Sequence, residues 1–441
     1  MIRPAALLVS TLLAACAPAP ETTRAVPMHL ALPAMQTFGP SAPGPLRRSN
    51  ATIARDFLDL HFALESGRTL PRLTRFEGPV TLRLVGAPPH LAGEADLLTR
   101  RLRDEADVDI RLDTAGDRTI TVQILPGHVV RRIVPTAACF VAPRASSWAE
   151  YEAGRRAGTT DWAALAERRH VVVFIPSDLP PQEQRDCLHE EVAQALGPLN
   201  DLWHLADSVF NDDNFHAVLT SFDMLVLRMT YAPELRSGMS REVAAAALPR
   251  ILARLNPRGG SVDLTNPATD TRWSALMAAA LGPGQARVRR ERAVRAAEEA
   301  RRFPDTRRAF ALYVYGRLSL SVDGSAALAA FLQAGEIYAR ADLPVQSAHV
   351  AVQMAAFALS AGRPRTAIAI ARQHRPAADA AQNASVLASL GLIEAEALKL
   401  LGRTAEAEAL RVDSLGWARY GFGSGTALAA RVAEIRGLAP R

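Results

Sequence analysis

The strand candidate at 170–175, with the unbroken apolar run VVVFI, constrains the chain most. A run without polar alternation cannot leave one face in water, so it reads as a strand buried on both faces of a sheet. It is followed by a helical segment over 182–196 that stops at Gly197-Pro198. The same alternation continues upstream. Helical periodicity at 51–65 runs through Ile53, Phe57, Leu60 and Ala63, strand candidates lie at 79–85, 108–112 and 119–124, and a helix is predicted over 94–105. Strands interleaved with helices predict one α/β domain over 51–240.

Beyond residue 240 the sequence becomes Ala- and Leu-rich. A connector over 241–306 contains a helix at 242–255, ended by Pro257-Arg258-Gly259-Gly260. Over 307–441 paired helices are broken at Gly324, Gly362 and Gly402, a spacing of 38 to 40 residues, and an Ala-rich helix follows each break. This resembles degenerate tetratricopeptide repeats, in which small residues let antiparallel helices approach closely and stack into a solenoid. An ordinary all-α bundle is the plainer alternative.

The segment CLHEEVAQALGPLND at 187–201 carries the chemical question. Read from Glu190 it gives Glu190-Glu191-x-x-Gln194-x-x-Gly197-x-x-Asn200. This resembles the metzincin signature HExxHxxGxxH, with the general-base glutamate and turn glycine kept and all three histidines replaced. Two further stretches are similar to the same family: Ser208-Val209-Phe210, with Phe210 where the metzincin turn has a methionine, and Leu219-Thr220-x-x-Asp223-x-x-x-Leu227-x-x-x-Tyr231, like its closing helix. The resemblance implies a metzincin-like α/β domain followed by the all-α repeat domain. It also implies that Glu191 would be the general base of an active enzyme, with Glu190, Gln194 and Asn200 at the ligand positions.

Two histidines one helical turn apart let both rings face one metal, and the adjacent glutamate activates the bound water. A glutamate with two neutral amides is a poor zinc donor set. A harder cation would look to Glu190, Asp201, Asp207, Asp212 and Asp213, for which polar-loop and helix-capping roles are the preferred reading. No cofactor is expected, and any divalent metal would not be zinc. His189, His204 and His216 could converge in space, although nothing in their spacing requires it. On the other side of the motif helix Leu188, Val192 and Ala195 would face the core.

At the amino terminus Arg3, an apolar stretch at 5–13 and Leu13-Ala14-Ala15-Cys16 fit a lipoprotein signal with Cys16 as lipidation site. Residues 17–50, rich in Pro and Ala, read as a tether. Ala17 favours the outer membrane by analogy with known lipoproteins, and the mature chain would face the periplasm. In that oxidising compartment Cys139 and Cys187 are expected to pair, worth about 3 to 4 kcal/mol of unfolded-state entropy; two unrelated buried thiols are the alternative.

The net charge is +6 and Lys399 is the only lysine, so the basic character is arginine. The densest basic run, 287–308, is interleaved with Glu291, Glu298, Glu299 and Asp305, as on a solvated helix face. No nucleic-acid partner is expected. Residues 187–239, including EEVAQALGPLND, FNDD and YAPELRSGM, are also similar to a bacterial family classed only as a domain of unknown function, some of whose members are labelled ATP-dependent transcriptional regulators. No Gly-Lys-Ser/Thr loop exists to hold phosphates, so no nucleotide is expected. The expectation is an envelope lipoprotein that binds proteins or a polymer, using its repeats for envelope proteins or peptides; the alternative is an envelope metallopeptidase using Glu191.

Overall fold

A computed structural model describes residues 32–440 apart from 43, 47, 136–137, 212–214, 265–270 and 304. Cys16, Asp212 and Asp213 therefore lie outside the described residues. Residues 32–441 form one compact unit.

The α/β part runs α1 (Asn50–His61), β1 (Val80–Val85), α2 (Pro89–Ala106), β2 (Ile110–Leu112), β3 (Thr119–Leu125), α3 (Gly127–Ile133), β4 (Phe140–Pro143), α4 (Trp148–Ala157), β5 (His170–Pro176), α5 (Pro181–Leu196), α6 (Ser221–Thr230) and α7 (Arg241–Leu255). The sheet order is β2-β1-β3-β5-β4, parallel except for β4, which runs antiparallel to β5. β5 is buried on both faces, as its unbroken apolar run requires. Val171, Val173 and Ile175 enter the main core, shared with α1, α2, α5, α6 and α7. Val172 and Phe174 pack on the opposite face with Ala142, Ala145 and Tyr151.

The predicted strands at 79–85, 119–124 and 170–175 and the helices at 182–196 and 242–255 appear within a residue or two. The helix predicted over 51–65 ends at His61, and Ala63 instead bridges Thr69. β4 escapes the sequence reading because it is only four residues long, too short for an apolar pattern to show. α7, which falls in the predicted connector, buries Ala244, Leu248, Ile251 and Leu252 in the α/β core.

The remaining chain is helical: α8 (Thr271–Leu281), α9 (Ala286–Glu299), α10 (Arg307–Ser319), α11 (Gly324–Arg340), α12 (Pro344–Ser360), α13 (Pro364–Ala380), α14 (Ala384–Leu400), α15 (Thr404–Phe422) and α16 (Thr426–Gly437). From α11 to α15 a new helix begins every 20 residues. Small residues at the contacts make this close stacking feasible: a Cβ on Gly391 of α14 would lie 2.2 Å from the Ser414 hydroxyl of α15.

Candidate functional site

α5 follows β5 directly and carries the motif from Glu190 to Gln194, with Gly197 as its cap and Asn200 in the turn beyond. Pro181 opens it, where a missing N–H costs nothing. Leu188, Val192 and Ala195 are fully buried in the core. Cys187 is bonded to Cys139, just before β4, with a Cα–Cα distance of 6.0 Å. The paired cysteines thus staple the motif helix to the antiparallel edge strand.

Two of the side chains at the expected ligand positions, Gln194 and Asn200, hold other protein groups. Glu190 is half-buried and Glu191 buried. Gln194 is also buried, and its amide donates to the Asp201 carboxylate at 3.4 Å. Asn200, at the third position, donates instead to the Asp59 backbone carbonyl at the end of α1, at 3.0 Å. Its amide is thereby used to anchor the turn after the helix.

Gly197 caps α5, and its constraint is steric. A Cβ there would lie 2.8 Å from Thr230 Cγ2 and 3.0 Å from His61 Nε2. The last carbonyls of the helix are satisfied by two side chains from outside it. Arg168 donates to the carbonyls of Gln194 (2.5 Å), Ala195 (2.8 Å) and Gly197 (2.5 Å), while the Tyr231 hydroxyl donates to that of Leu196 (3.0 Å). A cation at a helix C-terminus complements the dipole as well as the orphan carbonyls. Burial pushes the Arg168 guanidinium down to about 10, still charged at neutral pH, and its plane lies 4.9 Å over the Trp162 ring.

Phe210 is fully buried in the main core. Its N–H donates to Ser208 Oγ at 3.0 Å and its carbonyl accepts from Leu202 N at 2.8 Å, closing the loop after α5 on itself. Asp223 holds this loop to α6: it accepts from Ser208 Oγ at 2.5 Å and from the N–H groups of Val209 and Thr220, and forms the capping box with Thr220. Desolvation pushes the Asp223 carboxyl up to about 6 despite these bonds.

Each of the three histidines has its own partner, as their spacing, which requires no convergence, allows. His189 Nδ1 accepts from Leu219 N at 3.3 Å, His204 Nε2 sits 2.9 Å from Asp56, and His216 Nε2 donates to the Ala206 carbonyl at 3.1 Å. Of the acidic residues, Asp207 pairs with Arg48, which also holds Asp56. Among the described residues no group of three or more His, Cys, Asp and Glu is arranged to hold a metal ion.

The other half of α5 faces the helical array. The Gln182 amide donates to Asn383 Oδ1 at 3.2 Å and its oxygen accepts from Ser385 N at 3.0 Å. Arg185, 2% exposed, pairs with Glu94 of α2 at 3.0 Å and donates to both oxygens of Gln382. The loop after α5 also meets the array: Trp203 stacks on Phe310 at 6.0 Å, and Phe215 packs against Phe310, Tyr313, Tyr338 and His349. Arg168, Gln182, Arg185 and Phe215 escaped the sequence reading. In a chain this rich in arginine nothing local separates a buried capping arginine from a solvated one.

No curated protein and no solved structure matches the chain. Residues 50–250, from the first residue of α1 into α7, match a family model, and the α/β part is thus similar to the family described as Protein of unknown function (DUF2927).

Proposed function

We propose that the protein is an envelope lipoprotein whose metzincin-like domain has given up zinc chemistry and serves as a rigid base for a tetratricopeptide-like array that binds proteins or peptides. One observation carries this reading: the side chains at the ligand positions are used to build the structure. Gln194 holds Asp201, Asn200 holds the end of α1, and the helix that would present a metal is clamped by Arg168 at one end and by the array at the other. The sheet supports the metzincin-like part, since the motif helix leaves the last parallel strand next to a single antiparallel edge. The helices recurring every 20 residues support the repeat. Two such helices make a unit somewhat longer than the roughly 34 residues of a tetratricopeptide repeat.

No described helix is long and apolar enough to cross a membrane. Membrane attachment in this reading rests on Cys16 and its acyl chains. The array supplies the partner surface, an inference from architecture to binding.

The test is elemental mass spectrometry of the purified, disulfide-intact chain, together with unfolding scans with and without chelator. Absence of stoichiometric metal and an unmoved midpoint are expected. Stoichiometric metal lost in Gln194→Ala, together with peptide hydrolysis lost in Glu191→Gln, would overturn the scaffold in favour of a metallopeptidase. Cys16→Ala should move the protein from the detergent phase to the aqueous phase in a partitioning assay.

A further inference from the structure

Residues 32–42 have the composition of a spacer and the contacts of a ligand. The Gln36 N–H donates to the Gly416 carbonyl at 3.2 Å, and its side-chain amide donates to the Asp413 carboxylate at 2.9 Å and carbonyl at 3.2 Å. Residue 416 has no room for a side chain: a Cβ would lie 2.9 Å from Gln36 Cγ and 3.1 Å from the Ala34 carbonyl oxygen. Two residues further, Phe38 enters an aromatic corner. It stacks on Trp417 at 4.4 Å, meets Tyr420 edge-on at 6.1 Å, and carries the Arg185 guanidinium 5.5 Å from its ring centre. Arg419 holds the Pro33 carbonyl, and Gln382 donates to that of Gly39 at 2.8 Å.

These contacts converge on both parts of the molecule. Arg185 belongs to α5, whereas Gln382 lies in the turn between α13 and α14 and Trp417 on α15. The Gln382 side chain accepts from Arg185 while donating to Gly39, so segment, array and α/β domain share one hydrogen-bonded junction. The segment has no regular secondary structure, and its described backbone bonds go to the groove.

We propose that residues 32–42 are a detachable strap, a peptide ligand bound in cis, and that its presence in the groove locks the helical array to the α/β domain. The groove suits an extended peptide with a carboxamide two residues before an aromatic ring. Asp413 reads the carboxamide, and Trp417, Tyr420 and Arg185 read the ring through stacking and cation–π attraction. This goes beyond the scaffold reading and does not depend on it, because neither metal content nor partner capture enters its test.

The test introduces a protease site between Pro45 and Leu46 of the full chain and cuts it. Gel filtration then shows whether the fragment carrying the strap stays with the body, and amide exchange is followed over 182–189 and 382–385. The wild-type fragment is expected to stay bound. Phe38→Ala or Gln36→Ala, both on the strap and outside the two folded parts, should make it leave about tenfold faster, the loss expected for one half-buried, stacked aromatic or one charged hydrogen bond. Exchange over both windows should rise when it leaves. Immediate separation of the wild-type fragment, or departure with exchange unchanged in both windows, would overturn the proposal.

Discussion

Arg168 and Gly197 are joined by a 2.5 Å hydrogen bond from the guanidinium to the glycine carbonyl, at the point where the motif helix turns away from the core. Arg168 is 2% exposed, and its hydrogen-bond partners are the carbonyls of Gln194, Ala195 and Gly197 and the Thr74 hydroxyl, all neutral oxygens. Arg168→Met keeps much of the volume but leaves three buried carbonyls without these donors. It should lower unfolding free energy by about 3 kcal/mol or more, read as a lower chemical-denaturation midpoint at unchanged slope.

Gly197→Ala tests the other side of the same contact. The added methyl meets Thr230 and His61, both buried between α1 and α6, so the expected loss is about 1 to 3 kcal/mol. Pairing it with Thr230→Ser, which removes Cγ2, should recover part of that loss in a double-mutant cycle.

Reduction of the Cys139–Cys187 bond frees the link between α5 and the edge strand, across a sequence separation of 48 residues. Cys139→Ser with Cys187→Ser should lower stability by about 3 to 4 kcal/mol. The wild-type protein treated with reductant should reach the same unfolding midpoint as the double variant.

His349 gives the array–domain contact a pH dependence. It lies against Phe215, with Asn383 donating to its Nε2 at 3.3 Å and the His216 ring and Arg317 nearby; Asp207 faces His216 from the loop after α5. Burial pushes the His349 imidazole from 6.5 down to about 3, and burial lowers His216 as well. With the folded value depressed, the unfolded chain takes up the proton first, so stability is full above about pH 6.5 and falls as pH drops toward 3. His349→Gln should remove about 1.4 kcal/mol per pH unit from the slope of stability between pH 6 and 4. Asp223, raised to about 6 by desolvation, contributes with the opposite sign in that window, and comparing variant with wild type cancels it.

Gln182→Ala removes the two hydrogen bonds that this side chain makes to the array, with Asn383 and Ser385 N, and leaves those of Arg185 to Gln382 in place. The loss should be about 1 to 3 kcal/mol, with faster amide exchange at 383–386 and unchanged exchange in β3 and β5.

Sequence by itself determined the elements whose signals are local. The VVVFI run required a strand covered on both faces, the 3.6-residue stripe of Leu188, Val192 and Ala195 set which side of α5 meets the core, and the expected bond between Cys139 and Cys187 is present. Local signals fail where a residue's role depends on what arrives from far along the chain. Asn200 looked like a ligand position because its spacing from Gly197 is local, but the carbonyl it binds belongs to Asp59, and Gln194 meets Asp201 in the turn. Residues 32–42 read as tether because they lack apolar periodicity, a pattern that detects helices and strands and misses a segment that is ordered by a groove on α15. Tertiary structure decided that α5 is held by Arg168 at one end and by Gln382 and Asn383 at the other, since only folding brings those partners within hydrogen-bond distance.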